Sequence, residues 1–323
     1  MQISRQVWGV LITLFGALLF SIKAVLGKLI YIETDIEVST LLLLRMLFAL
    51  PFYLVSFSWA IKRFKAKVKS PDGSPSGLSF LQKLSIACFL GMIGYYISSY
   101  LDFYGLKFIS AGLERVILFS YPAWVVMLGA LLYKTPVQKK QVFALLLSYL
   151  GIIIAFLGDF KGLPVSAEVW KGSILVVCCA FTFALYVLWS GRFIPILGVG
   201  LFTSTAMLGA TLAIVLHFFL SGQTFEVLTS FSSKVYFYFF LMGVFTTVVP
   251  SYLVSAGISR IGSSNVAIVS SIGPIFTIFL AWYYLGESFG FIQMLGSLLV
   301  IGGVWMISQK KTAPLPPQDF SKK

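Results

Sequence analysis

Ten runs of apolar residues follow one another along the chain, at 7–27, 37–60, 84–105, 112–133, 139–158, 169–190, 198–220, 235–258, 264–285 and 289–308. Each approaches the ~20 residues that an α-helix, rising about 1.5 Å per residue, needs to cross a hydrocarbon layer. The breaks between them are short and marked by Gly, Pro or charge, as at Lys134-Thr135-Pro136, Asp159-Phe160-Lys161-Gly162 and Gly286-Glu287-Ser288. The pattern predicts ten membrane-spanning helices with almost no chain left for a soluble domain. Residues Lys62–Gly77 read as a flexible polar loop, and residues 309–323, with Pro314, Pro316 and Pro317, as a disordered tail. The first run follows Arg5 but lacks a small-x-small cleavage site, and Lys23 and Lys28 lie at its end, so it reads as an uncleaved first helix.

Composition agrees with a lipid environment: 59% of residues are hydrophobic and only 11% charged, where a soluble surface needs roughly a quarter. The net charge of +13 does not point to nucleic acid, because Lys and Arg collect in short inter-helix segments and the C-terminal tail. With a cytoplasmic N-terminus, sixteen of these cations fall on the inner side and five (Lys28, Lys107, Lys161, Lys171 and Lys234) on the outer side. The positive-inside bias therefore predicts that both termini are cytoplasmic. Cys88, Cys178 and Cys179 read as small apolar core residues. With His217 the only histidine, a histidine-based metal site is excluded.

The chain also matches itself. Shifted by 152 residues, the fourth run falls on the ninth: Ile109 meets Ile261, Pro122 meets Pro274, Gln141 meets Gln293, and Gly151 meets Gly303. Near the start of each half, Val7-Trp8 corresponds to Val169-Trp170 and Gly9 to Gly172. Five spans per copy is an odd number, so the second copy must enter the bilayer from the opposite side. An all-α integral membrane protein of two inverted five-helix repeats, 1–160 and 161–308, is the expected fold, and it favours transport by alternating access.

Several local motifs carry a family resemblance. They are Ser21-Ile22-Lys23-Ala24, Lys28, the run Leu44-Arg45 to Pro51, Ser99-Tyr100-Leu101-Asp102-Phe103, Ile109 to Arg115 continuing to Tyr121-Pro122, Gly273-Pro274, and Leu285-Gly286-Glu287. Over nearly the whole chain the sequence resembles the EamA-type branch of the drug/metabolite transporter superfamily. The resemblance implies a ten-helix inverted-repeat fold, export or exchange of small metabolites across a bacterial inner membrane, and no cofactor. Lys134-Thr135 stands where the second repeat has Gly286-Glu287, so Glu287 is read as a structural turn.

Charges inside spans cost several kcal/mol unless paired or wetted. Lys23, Arg45, Asp102, Glu114 and Arg115 are the cases here, and all five map to the outer half of the first repeat. Three cations against two anions leave one positive charge. One reading is a partly hydrated network in which Lys23 and Arg45 face an anionic solute group while Asp102 and Glu114 hold them or carry a coupled proton. The other is a closed ion-pair lattice, with Glu114 and Arg115 at headgroup level. Tyr96, Tyr100 and Tyr104 form a stripe at helical spacing; with Tyr95, Tyr186 and Trp189 they are either a cavity wall or packing. Pro122 and Pro274 predict matching mid-helix kinks, with Ser120, Tyr121, Ser270 and Ser271 nearby as hydrogen-bonding groups, whether or not a ligand meets them. A GxxxxGK[ST] nucleotide loop is absent, and the intramembrane carboxylates lack catalytic spacing, so a secondary carrier of small organic solutes such as amino acids leads and an enzyme is not expected. A flippase for amphiphilic or lipid-like molecules is the alternative.

Overall fold

The computed structural model describes residues 5–68, 79–133, 139–159, 166–270, 273–287 and 290–308. Helices account for nearly all of them. Helices α1 (Arg5–Glu33) and α2 (Val38–Val68) are long and unbroken. The third apolar run is α3 (Phe80–Gly91), a π-helical segment (Met92–Ile97) and α4 (Ser98–Leu106). The fourth is α5 (Ala111–Leu118) and α6 (Tyr121–Tyr133), and the fifth is α7 (Lys139–Asp159). The second half follows as α8 (Ala167–Leu197), α9 (Val199–Leu220), α10 (Ser233–Gly243), a second π segment (Val244–Val248), α11 (Val249–Ile261), α12 (Ser263–Val269), α13 (Gly273–Leu285) and α14 (Phe291–Ser308).

Seven stretches of described residues are long and apolar enough to cross a membrane; the ninth and tenth runs contribute shorter apolar helices, Phe276–Leu285 and Phe291–Gly303. The fifth run is the 21-residue α7. Large side chains such as Trp8, Phe15, Phe52, Trp59, Trp170 and Trp282 are exposed around the assembly, more apolar surface than water would tolerate. Two expectations need correction. The loop expected at Lys62–Gly77 begins later, because α2 continues to Val68; residues 69–78 lie outside the described residues. Cys178 is exposed on the outer surface and Cys88 only half-buried, so of the three cysteines only Cys179 is a core residue. The turns at 134–136 and 160–162 and the tail 309–323 also lie outside the described residues.

The strongest packing runs between the halves, not within them. Helix α1 lies against α11 and α13, α2 and α3 against α9, α4 against α8, and α7 against α14. Glycines mark the tightest crossings, and their contacts exchange in pairs. A Cβ on Gly91 would stand 1.8 Å from the Ala206 carbonyl oxygen, and one on Gly243 would stand 2.7 Å from the Arg45 carbonyl oxygen. Gly105 meets Val176 as Gly257 meets Thr13, and Gly172 meets Ile109 as Gly9 meets Ile261. In each case the two partners swap halves, the glycines or their partners standing 152 residues apart and the other member of each exchange 161 to 163 apart. The π segments obey the same relation, since Met92 and Val244 stand 152 residues apart and each directly follows one of the backbone-contact glycines. A π turn adds one residue to a helical turn and changes which side chains face a neighbour beyond it.

At Gly91 the colliding atom is backbone and has no rotamer to yield. Gly91→Ala is expected to cost about 1–3 kcal/mol and to lower the thermal midpoint measured by size-exclusion chromatography after heating. At Gly302, where a Cβ meets nothing within 4 Å, the same change is expected to be neutral or slightly stabilising.

Candidate functional site

The five intramembrane charges converge. Lys23 on α1 and Asp102 on α4 form an ion pair at 2.5 Å, with side chains 5% and 2% exposed. Helix α5 places Glu114 and Arg115 beside them, both fully buried, with Arg115 Nε 3.4 Å from Glu114 Oε2. These two are sequence neighbours, so the contact is poorly directed and makes no proper hydrogen bond. The carboxyl groups of Asp102 and Glu114 also approach each other. Asp102 Oδ1, both Glu114 oxygens and all three Arg115 nitrogens lack hydrogen-bond partners among the described residues. Arg45 on α2 stands over the Phe103 ring at 5.4 Å, and its Nε and Nη2 also lack partners there. Glu114 and Arg115 are both enclosed by protein.

Lys23 and Arg45 open onto a cavity of about 20 Å³, space enough for a water and far too little for a metabolite. Its wall draws on both halves. Gly94 and Tyr95 come from the first π segment, and Thr246 and Thr247, 152 residues later, from the second. Phe20 and Phe183, equivalent by the relation that pairs Gly9 with Gly172, also line it and stack on each other with centroids 6.3 Å apart. Equivalent residues that touch each other lie where the two copies meet, so the cavity sits at the centre of the exchange. Ser98 and Ser99 add hydroxyls, and Cys179 accepts or donates a bond with Ser98 at 3.2 Å.

The remaining predicted residues fall around this centre in different ways. Tyr186 packs edge-on against Tyr95 at 5.1 Å and stacks with Phe183, behind the wall. Tyr121 lies edge-on to Phe183 at 5.1 Å and donates to the Ala267 carbonyl at 3.4 Å, with buried Ser270 beside it. Tyr100 points elsewhere, with its ring 4.8 Å from His217 and Tyr96 5.7 Å from the same imidazole. Tyr96 and Tyr100 of the stripe therefore pack on α9, Tyr104 accepts a hydrogen bond from Lys171 of α8 at 3.0 Å, and Tyr95, one residue out of phase with the stripe, is the aromatic that reaches the cavity. Pro122 is not a mid-helix kink. It is the second residue of α6, where its missing N–H costs nothing, after α5 ends in the tight turn at Phe119-Ser120. Pro274 is the second described residue of α13, and residues 271–272 before it lie outside the described residues. Ser271 lies outside the described residues.

Two contacts had no clear signal in the chain. Ser21 donates to the Gly273 carbonyl at 3.1 Å while Thr277 donates to the Ser21 carbonyl at 3.1 Å, tying α1 to the start of α13. Glu287, read as a turn, does more than end α13. Its two carboxylate oxygens accept the Ala111 and Gly112 amides at 2.9 and 3.1 Å, capping α5 from the opposite half.

The charge is not repeated. Asp102, Glu114 and Arg115 correspond to Val254, Val266 and Ala267 at the 152-residue spacing; Lys23 corresponds to Tyr186, and Arg45 to Ala206 through their shared glycine contacts.

A bundle of long apolar helices, wrapped in exposed aromatic surface and closing two related halves on a small charged cavity, defines a multi-pass membrane transporter. The chain belongs to the EamA-like transporter family, whose profile matches residues 7–157 and again 170–309. It is similar to the "Uncharacterized transporter YcbK" of Bacillus subtilis strain 168, 29% identical over 308 residues that cover 95% of this chain and 93% of the relative. It is also similar to an "Uncharacterized transporter" of Archaeoglobus fulgidus, 24% identical over 88% of this chain and 93% of the relative. A solved crystal structure, described only as that of a protein, superposes with a TM-score of 0.65 at 16% identity, over 95% of this chain and 98% of its own; that likeness is one of fold alone.

Removing one member of a buried ion pair strands the other. Asp102→Asn is expected to destabilise the protein by about 3–5 kcal/mol, while the double change Lys23→Met with Asp102→Leu recovers most of the loss. Thermal unfolding of the purified variants in one detergent checks the difference.

Proposed function

We propose that the protein is a secondary carrier of small organic solutes such as amino acids, working by alternating access at the cavity between its halves. The observation that carries this reading is the cavity itself, lined by Lys23, Arg45 and both π segments. Buried guanidinium nitrogens without partners are costly, and a solute carboxylate would satisfy those of Arg45 while Phe20, Tyr95 and Phe183 enclose an apolar body. A space of about 20 Å³ must widen before a metabolite enters, which is what alternate opening of two related halves accomplishes.

In this reading ten spans form two inverted five-helix repeats, 1–160 and 161–308. The exchanged glycine contacts support it, as does the meeting of the α13 C-terminal end with the α5 N-terminal end through Glu287, which sets those helices antiparallel. Both termini face the cytoplasm of a bacterial inner membrane, on the evidence of loop charge. The direction is export or exchange. Protons are the coupling ion, carried by Asp102 and Glu114, whose carboxyls approach each other beside three cations. Tyr121, Tyr186 and Ser270 stand in the second rank, and Pro122 and Pro274 mark the places where the spans bend during opening.

Metabolite profiling of cells lacking or overproducing the protein identifies the solute to load. In vesicles preloaded with it, efflux is expected to be saturable and to fall about a hundredfold in Arg45→Gln, with membrane insertion unchanged; retained efflux removes Arg45 from the mechanism. Uphill movement should stop when an ionophore collapses the pH gradient. Lipid scrambling by empty vesicles, without solute efflux, would instead favour the flippase reading.

A further inference from the structure

The Glu287 carboxylate has an unusual position for a helix cap. It follows Gly286, whose φ of 64° turns the chain out of α13, and its own N–H returns to the Ala281 carbonyl at 3.3 Å. From there it crosses to the other half and receives the first two amides of α5, while Ser110, the local cap, accepts only the third, from Leu113 at 3.1 Å. The helix it holds is short. It carries Glu114 and Arg115 in its next turn, ends at the Phe119-Ser120 turn, and brings Leu118 to the cavity wall. A helix of eight residues between a cap and a tight turn moves as a unit, so whatever holds its start governs both the charge cluster and one side of the cavity.

We propose that Glu287 is the latch of the outer gate, and that its two bonds to α5 break when the cavity opens to the outside. The proposal rests on the orientation and alternating access argued above. A carboxylate at a helix N-terminus gains both charge-assisted hydrogen bonds and the favourable end of the helix dipole. Glu287 is itself only half-buried, so water can take over its oxygens once α5 departs, and the latch is reversible. Among the described residues an ion pair between the halves, Glu33 with Lys234, is largely exposed and contributes little. At the matching place the first half has Lys134-Thr135, so the sequence does not repeat this carboxylate there.

Cys179, which lines the cavity, provides a native reporter once Cys88 and Cys178 are replaced by Ala. Labelling by a membrane-impermeant maleimide is measured without solute, in right-side-out and in inside-out vesicles. Loss of the cap in Glu287→Ala is expected to speed labelling from the outside about tenfold and to slow it from the inside. Glu287→Gln, which keeps the length and one acceptor oxygen, should fall between. Unchanged rates, or rates faster from both sides as in a merely loosened fold, overturn the latch. Loss of efflux in Arg45→Gln alongside unchanged labelling in Glu287→Ala would discard the latch and leave the transport reading standing.

Discussion

Backbone contact between the halves is the constraint on which everything else in this molecule depends. Gly91 lets α3 touch the backbone of α9, and Gly243 lets α10 touch that of α2, at crossings where any side chain would collide. In lipid, apolar side chains gain nothing by hiding from water, so helices associate through close packing, and small residues at the crossing permit it. The same glycines lead directly into the two π segments, which swing Gly94, Tyr95, Thr246 and Thr247 toward a common centre. The cavity is thus a consequence of how the halves touch.

A symmetric frame holds an asymmetric set of charges. Desolvated charges are tolerated within a membrane where they pair, and here the pairing is incomplete: Lys23 pairs with one Asp102 oxygen, whereas the other Asp102 oxygen, Arg45, Glu114 and Arg115 keep polar atoms without partners among the described residues. Their counterparts in the second half are Tyr186, Ala206, Val254, Val266 and Ala267. One half therefore carries the polar chemistry, and the other supplies aromatic and hydroxyl walls through Phe183, Thr246 and Thr247. The second half's main polar contribution to the cluster is indirect: the Glu287 carboxylate holds the helix that bears Glu114 and Arg115.

Much of the candidate site was legible in the chain because charge within an apolar run is rare and conspicuous. Lys23, Arg45, Asp102, Glu114 and Arg115 stood out individually, and the structure gathers them. The tyrosine stripe left cavity wall and packing open, and the structure packs it; Tyr95, within the π turn at Met92–Ile97, instead of Tyr100 faces the cavity. Pro122 marked a real break but not its kind, since it begins a helix. Glu287 and Ser21 stood in recognisable motifs, but their contacts left no local signal, because each partner lies more than 170 residues away.

The sequence by itself determined the solvent of this protein, its succession of apolar helices, its self-similarity and the presence of buried charge. These follow from hydropathy and spacing, which depend only on near neighbours and composition. Tertiary structure alone decided which charges pair, which aromatic reaches the centre, where the cavity lies and that Glu287 caps a helix in the other half. Those outcomes depend on the register between distant helices, and one extra residue in a π turn is enough to change it.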